Sequence, residues 1–195
     1  MHARFARHGR PHRLALLLAF LLLLVAALAP HVANGQRGAA VSPTAAQFAA
    51  RAAASGLAEV TMSKLALDWA GSPAVREFAT RMLADHGHAN AQLEAIALAK
   101  GITLPREPDA RHQQAIQRLS TLRGAEFDVA FVEAMKQAHE QDVALFESAT
   151  ARTFPDPELR GFAIKVLPLL RQHLEMVDKL QPNRATARLD REAPP

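Results

Sequence analysis

Three proline-led start signals cut the chain between Ser42 and Leu180 into long uninterrupted stretches. Ser42-Pro43, Ser72-Pro73 and Asp156-Pro157 each place a capping side chain ahead of a proline whose fixed φ suits the first helical turn. Gly71 and Gly101 close the first two stretches, and Pro182 follows the last. Between these marks Ala, Leu, Glu, Gln and Arg dominate, all good helix formers, and no strand-type alternation runs for any length. The signals predict long helices over 43–70, 73–100, 125–152 and 157–180. They also predict a short helix capped by Asp109 and running to Leu122, stopped by Gly124.

The links decide the topology. The joints at 71–72 and 153–156 are so short that the chain must turn straight back, so the first two long helices form one antiparallel hairpin and the last two a second. A 28-residue helix is about 42 Å long, and the 24-residue link 101–124 covers that length and returns the chain to its first end. The expectation is therefore an all-α, ferritin-like four-helix bundle over residues 43–180, made of two antiparallel hairpins joined by a long crossover containing a short helix. The polar, Arg- and Pro-containing segment 181–195 is expected to be a disordered tail.

Each long helix carries an inward stripe, and each stripe carries a protonatable residue near its middle. Phe48, Ala52, Ser55, Glu59, Met62, Ala66 and Trp69 alternate in spacings of four and three. The second stripe is Ala79, Met82, His86, Ala89, Leu93 and Ile96. The third runs through Phe127, Phe131, Met135, His139, Asp142 and Phe146, and the fourth through Leu159, Phe162, Val166, Leu170, His173 and Val177. Burying such groups costs on the order of several kcal/mol unless they pair or coordinate something. Glu59, His86, His139 and His173 are thus candidate metal ligands, with Asp85 and Asp142 as possible additional ones. Counted from the joint at 153–156, His139 and His173 are out of register by roughly 5 Å, one helical turn, which a kink at Pro168 would adjust. Met62, Met82, Met135 and Met176 each lie about one turn from this layer. In the crossover topology all four offsets point toward the first hairpin's turn, so a methionine layer is expected there, most simply as adaptable core filling. His88 faces elsewhere and is expected in solvent, and His112 has no visible partner.

That donor set suits one transition-metal ion, Fe, Zn or Cu. It does not make the usual di-iron site, because Leu83, Lys136 and Leu170 stand where Glu-x-x-His would need glutamate. The same residues equally form a metal-free hydrogen-bonded network, which would make the chain a non-catalytic envelope or stress-related structural protein. A third reading, haem between two histidines, would have to be non-covalent, since C-x-x-C-H is absent. Acid–base hydrolysis is the least expected, because no carboxylate pair and no nucleophile–base spacing is legible.

The N-terminus sets the compartment. Arg4, Arg7, Arg10 and Arg13 precede an apolar run over Leu14–Ala29, too short for the roughly 20 residues of a spanning helix and right for a signal peptide. Ala33-Asn34-Gly35 offers small residues for cleavage before Gln36, so 1–35 is read as a signal peptide and the mature chain as periplasmic or secreted, with no stable membrane span; the alternative is an uncleaved anchor. Those four arginines account for the whole excess of 23 basic over 19 acidic residues, so the mature chain is balanced and has no basic stripe for nucleic acid. Cysteine is absent, which excludes a disulfide scaffold, a thiolate metal site and a cysteine nucleophile.

Five segments together resemble the exported bacterial family called domain of unknown function 4142, of the ferritin-like superfamily. They are GLAEV (56–60), RMLADHGHAN (81–90), GAEFDVAF (124–131), AHEQDVALFE (138–147) and LPLLRQHLEM (167–176). The resemblance spans about 43–180 and implies an exported four-helix bundle with the family's Glu and His positions at Glu59, His86, His139 and His173. It implies no established activity. Two departures stand out: the family often has Tyr where this chain has Phe131, and Asp where it has Ala138. Both remove polar groups that would otherwise support a site.

Overall fold

The computed structural model describes residues 42–180; the expected leader and tail lie outside the described residues. Five helices form there and no strand: α1 (Pro43–Trp69), α2 (Pro73–Lys100), α3 (Ala110–Ser120), α4 (Gly124–Ala149) and α5 (Pro157–Lys179). The fold is all-helical. Pro stands in the first turn of α1, α2 and α5, as the start signals require. Ser42 Oγ accepts from Ala45 N at 3.2 Å, and Asp156 Oδ1 accepts from Glu158 N and Leu159 N at 3.1 and 3.0 Å.

Three ends differ from expectation. α3 stops at Ser120 rather than Leu122, and Gly124 opens α4 instead of closing α3. Ser72 makes no side-chain cap. Its N–H, and that of Gly71, donate instead to Asp128 of α4 at 2.8 and 3.0 Å, so the α1–α2 turn is held from another helix. The third long helix ends at Ala149 rather than residue 152. There Thr150 turns back on Glu147 through both its N–H and its hydroxyl, and Arg160 Nε donates to Thr150 O at 3.0 Å. At the other end Gly124 takes φ 56 and Gly71 packs against it, where a Cβ would come within 3.1 Å of the Gly124 backbone. Ala70 and Gly124 share one isolated bridge there. Arg123 lies 3.5 Å over the Trp69 ring, closing the same corner.

α1 packs on α2, α3 and α4, α5 on α2 and α4, and α3 also on α4. Which residues meet fixes the directions. Phe48 near the start of α1 meets Phe146 near the end of α4 at 5.1 Å between centroids, while Trp69 meets Phe127 at 6.3 Å, so α1 and α4 are antiparallel. Lys165 reaches Gln92, and His173 reaches Asp85, which sets α2 and α5 antiparallel as well. Taking α1 as up, the long helices run up, down, down, up.

The core is in two parts. One apolar cluster gathers Phe48, Leu93, Phe146, Leu159, Phe162 and Leu170 at the α4–α5 turn. The other gathers Val75, Phe78, Phe127, Phe131 and Val177 at the α1–α2 turn. Met62, Met82 and Met135 are buried in this second cluster and Met176 packs against it, the layer expected from their offsets. Between the two clusters lies a buried polar layer.

Candidate metal centre

The inward stripes deliver one polar group per long helix to that layer. Glu59 from α1, His86 from α2, His139 from α4 and His173 from α5 are all buried, and Asp142 of α4 joins them. The three imidazoles crowd together, with centroids 5.2 to 5.4 Å apart, so the register mismatch expected between His139 and His173 does not keep those rings from meeting. Each can offer one nitrogen to a common point, the three nitrogens lying within 4.8 Å of one another.

Hydrogen bonds to pure acceptors fix two tautomers. His173 Nε2 lies 2.9 Å from Asp85 Oδ2, so its proton sits on Nε2 and Nδ1 is left with a lone pair. His139 Nδ1 lies 2.9 Å from Met135 O, which places its proton on Nδ1 and leaves Nε2 bare. That Nε2 is buried and has no hydrogen-bond partner among the described residues. His86 Nε2 stands 3.3 Å from the His173 lone pair, and its far nitrogen Nδ1 stands 2.8 Å from Glu59 Oε2. Glu59 Oε1 lies 3.3 Å from His139 Nδ1.

Burial dominates the proton affinities. It pushes His86, His139 and His173 down to about 4, so all three are neutral at pH 7. It pushes Glu59 up to about 7. Asp142 is raised well above its ordinary value by burial and then by the charge of Glu59, while Ser55 Oγ donates to its Oδ2 at 2.8 Å. Asp85, at the partly exposed edge, is held below its ordinary value despite its partial burial, by hydrogen bonds from Arg81 and His173.

Of the six residues singled out from sequence, the three histidines share one point. Glu59 and Asp85 stand at the nitrogens of His86 and His173 that face away from it. Asp142 is near enough to Glu59 for each to shift the other's proton affinity, a carboxylate pair that the sequence reading did not find. His88 is exposed as expected; His112 is buried, its Nδ1 3.0 Å from Asp109 Oδ1. Ser55, Gly56 and Asn90 were missed as site residues. The available signal was spacing, since Asn90 follows His86 by four residues and Gly56 precedes Glu59 by three.

The family model for domain of unknown function DUF4142 matches residues 31–180. The chain belongs to this family. No curated protein matches it. Among solved structures, a DUF305 fragment from Deinococcus radiodurans is similar, with a TM-score of 0.62 at 17% identity over 70% of this chain and 94% of that one. At that identity the likeness shows a shared helical fold. Among the described residues of this DUF4142 chain no helix is long and apolar enough to cross a membrane.

Proposed function

We propose that this DUF4142 domain is an exported, ferritin-like four-helix bundle that binds one transition-metal ion, Fe, Zn or Cu, through His86, His139 and His173. The ferritin-like reading is supported by the up, down, down, up course of the long helices with α3 in the crossover. Export is supported by the basic and apolar pattern of residues 1–35.

One observation carries the metal reading: three buried neutral imidazoles each bring a nitrogen within 4.8 Å of the others, and among the described residues His139 Nε2 is buried with no hydrogen-bond partner. A donor pair on a tetrahedral ion with bonds of about 2.0–2.1 Å stands about 3.3 Å apart. His86 Nε2 and His173 Nδ1 are 3.3 Å apart. For His86 to serve, its proton moves to Nδ1, beside Glu59, and Nε2 is freed. Glu59 and Asp85 then orient ligands rather than bind the ion, as carboxylates behind metal-bound histidines commonly do. The sequence-based expectation had Glu59 as a ligand and Asp85 as a possible additional one. It could not separate the two nitrogens of an imidazole.

The competing reading is a structural polar network in a non-catalytic envelope protein, favoured by the chain Asp85–His173–His86, which is hydrogen-bonded without any ion. Thermal unfolding of chelator-treated protein separates the two. At a metal concentration a hundredfold above Kd, binding adds about 2.7 kcal/mol, or about 5–10 °C in Tm for a domain of this size. The shift is expected to vanish in a His86→Ala/His173→Ala variant and to survive largely in Glu59→Gln. A Tm unmoved by every metal, or raised equally in the double variant, leaves the structural network.

A further inference from the structure

Two cavities meet at Asn90. The outer one, about 290 Å³, lies where α1, α2 and the crossover meet and is lined by Leu57, Glu94, Leu104 and Arg106 together with Asn90 and Leu93. The inner one, about 20 Å³, is bounded by Glu59, His86 and Asp142 on one side and by Phe146 and Phe162 on the other, and Asn90 and Leu93 line it too. About 10–15 Å³ of such space accommodates one water. The inner cavity therefore takes a single small occupant against the polar layer.

Asn90 is an odd residue for that position. It is half-buried among Leu57, Leu93 and Ala53, and no hydrogen bond within the described residues ties its amide. Its amide packs on Gly56, where a Cβ would come 2.1 Å from Asn90 Oδ1 and push the amide aside. Turning that amide would break no hydrogen bond of the described residues, and Asn90 stands in the wall that the two cavities share. A third cavity, about 410 Å³, also reaches Asp142 and is lined by Arg51 and Arg111 with Asp109, so it is the alternative route that the test has to separate. At the outer cavity Arg106 is offset by Glu94.

We propose that Asn90 gates the path by which metal ions and water-sized ligands reach the buried histidines. The proposal rests on the metal reading above. It makes Asn90 a determinant of exchange rate rather than of affinity, because it touches the route and none of the three donors.

The test is metal release from the zinc-loaded protein into excess chelator, followed with a fluorescent zinc indicator, beside the equilibrium Kd. Asn90→Ala removes the plug and is expected to speed release about tenfold, whereas Asn90→Leu fills the mouth and slows it comparably. Kd stays within about threefold in both, since association changes by the same factor. Gly56→Ala displaces the amide and is expected to speed release as well; a melt run beside each variant confirms that it is folded. Arg51→Ala and Arg111→Ala leave the rate unchanged. Release rates within about twofold of the native chain in every Asn90 variant overturn the path while leaving the metal reading intact, and so does a rate that responds at Arg51 or Arg111 instead. A chain that binds no metal at all takes down both.

Discussion

Glu59 is fully buried, and a carboxyl group without water around it holds its proton. Its affinity, pushed up to about 7, opposes that of the imidazoles beside it, pushed down to about 4. The signs follow by linkage. Between about pH 4 and 6.5 unfolded histidines take protons that the folded ones refuse, so they make stability fall on acidification. Glu59 and Asp142 do the reverse, because the folded state keeps protons that the unfolded state has lost above about pH 4.5. The two effects partly cancel in the metal-free protein. Glu59→Gln removes one opposing proton, so its stability is expected to fall more steeply from pH 6.5 to 4.5, by up to about 1.4 kcal/mol per pH unit. Urea unfolding at a series of pH values measures this, and equal slopes for variant and native chain would refute it. The heptad-type spacing made Glu59 and the three histidines legible, because it fixes which face of a helix a residue occupies. It says nothing of which atom meets which across helices, so the Glu59–Asp142 pair and the tautomers stayed out of reach.

Helix ends show the same division at a larger scale. Pro43, Pro73 and Pro157 marked three starts correctly, because proline's constraint is local. Ser72 misled, because its side chain caps nothing and its own N–H is held instead by Asp128, 56 residues along the chain. Asp128 therefore acts as a clamp between α4 and the α1–α2 turn. Its loss leaves the Gly71 and Ser72 N–H groups without their partner at a place where Gly71 and Gly124 already touch. Asp128→Ala is expected to cost about 2–3 kcal/mol, and Asp128→Asn about half as much, since the amide keeps one acceptor oxygen. Asp156→Ala removes a local cap and should cost about 1–2 kcal/mol. Denaturant unfolding of the three variants checks the order. A loss at Asp128→Ala no larger than a surface substitution would show that the turn stands without the clamp.

Across the whole molecule, a polar layer set between two apolar clusters surrenders core area that leucines would fill. If that layer holds an ion, as proposed, it recovers stability only where the ion is available, which would tie the fold's strength to its compartment. That compartment rests on residues 1–35, outside the described part of the chain. Their four arginines and the apolar run 14–29 lie ahead of Ala33-Asn34-Gly35, and downstream of them the basic and acidic residues balance. If a signal peptidase reads this pattern, the protein recovered from the envelope begins at Gln36 and leaves the cell in the osmotic-shock fluid. If the leader is kept as an anchor, the protein stays with the membrane fraction and its mass includes residues 1–35. Intact mass spectrometry of each fraction is expected to find the shorter chain in the shock fluid. Recovery of only the longer chain, in the membrane fraction, would refute cleavage and leave the domain tethered by its N-terminus.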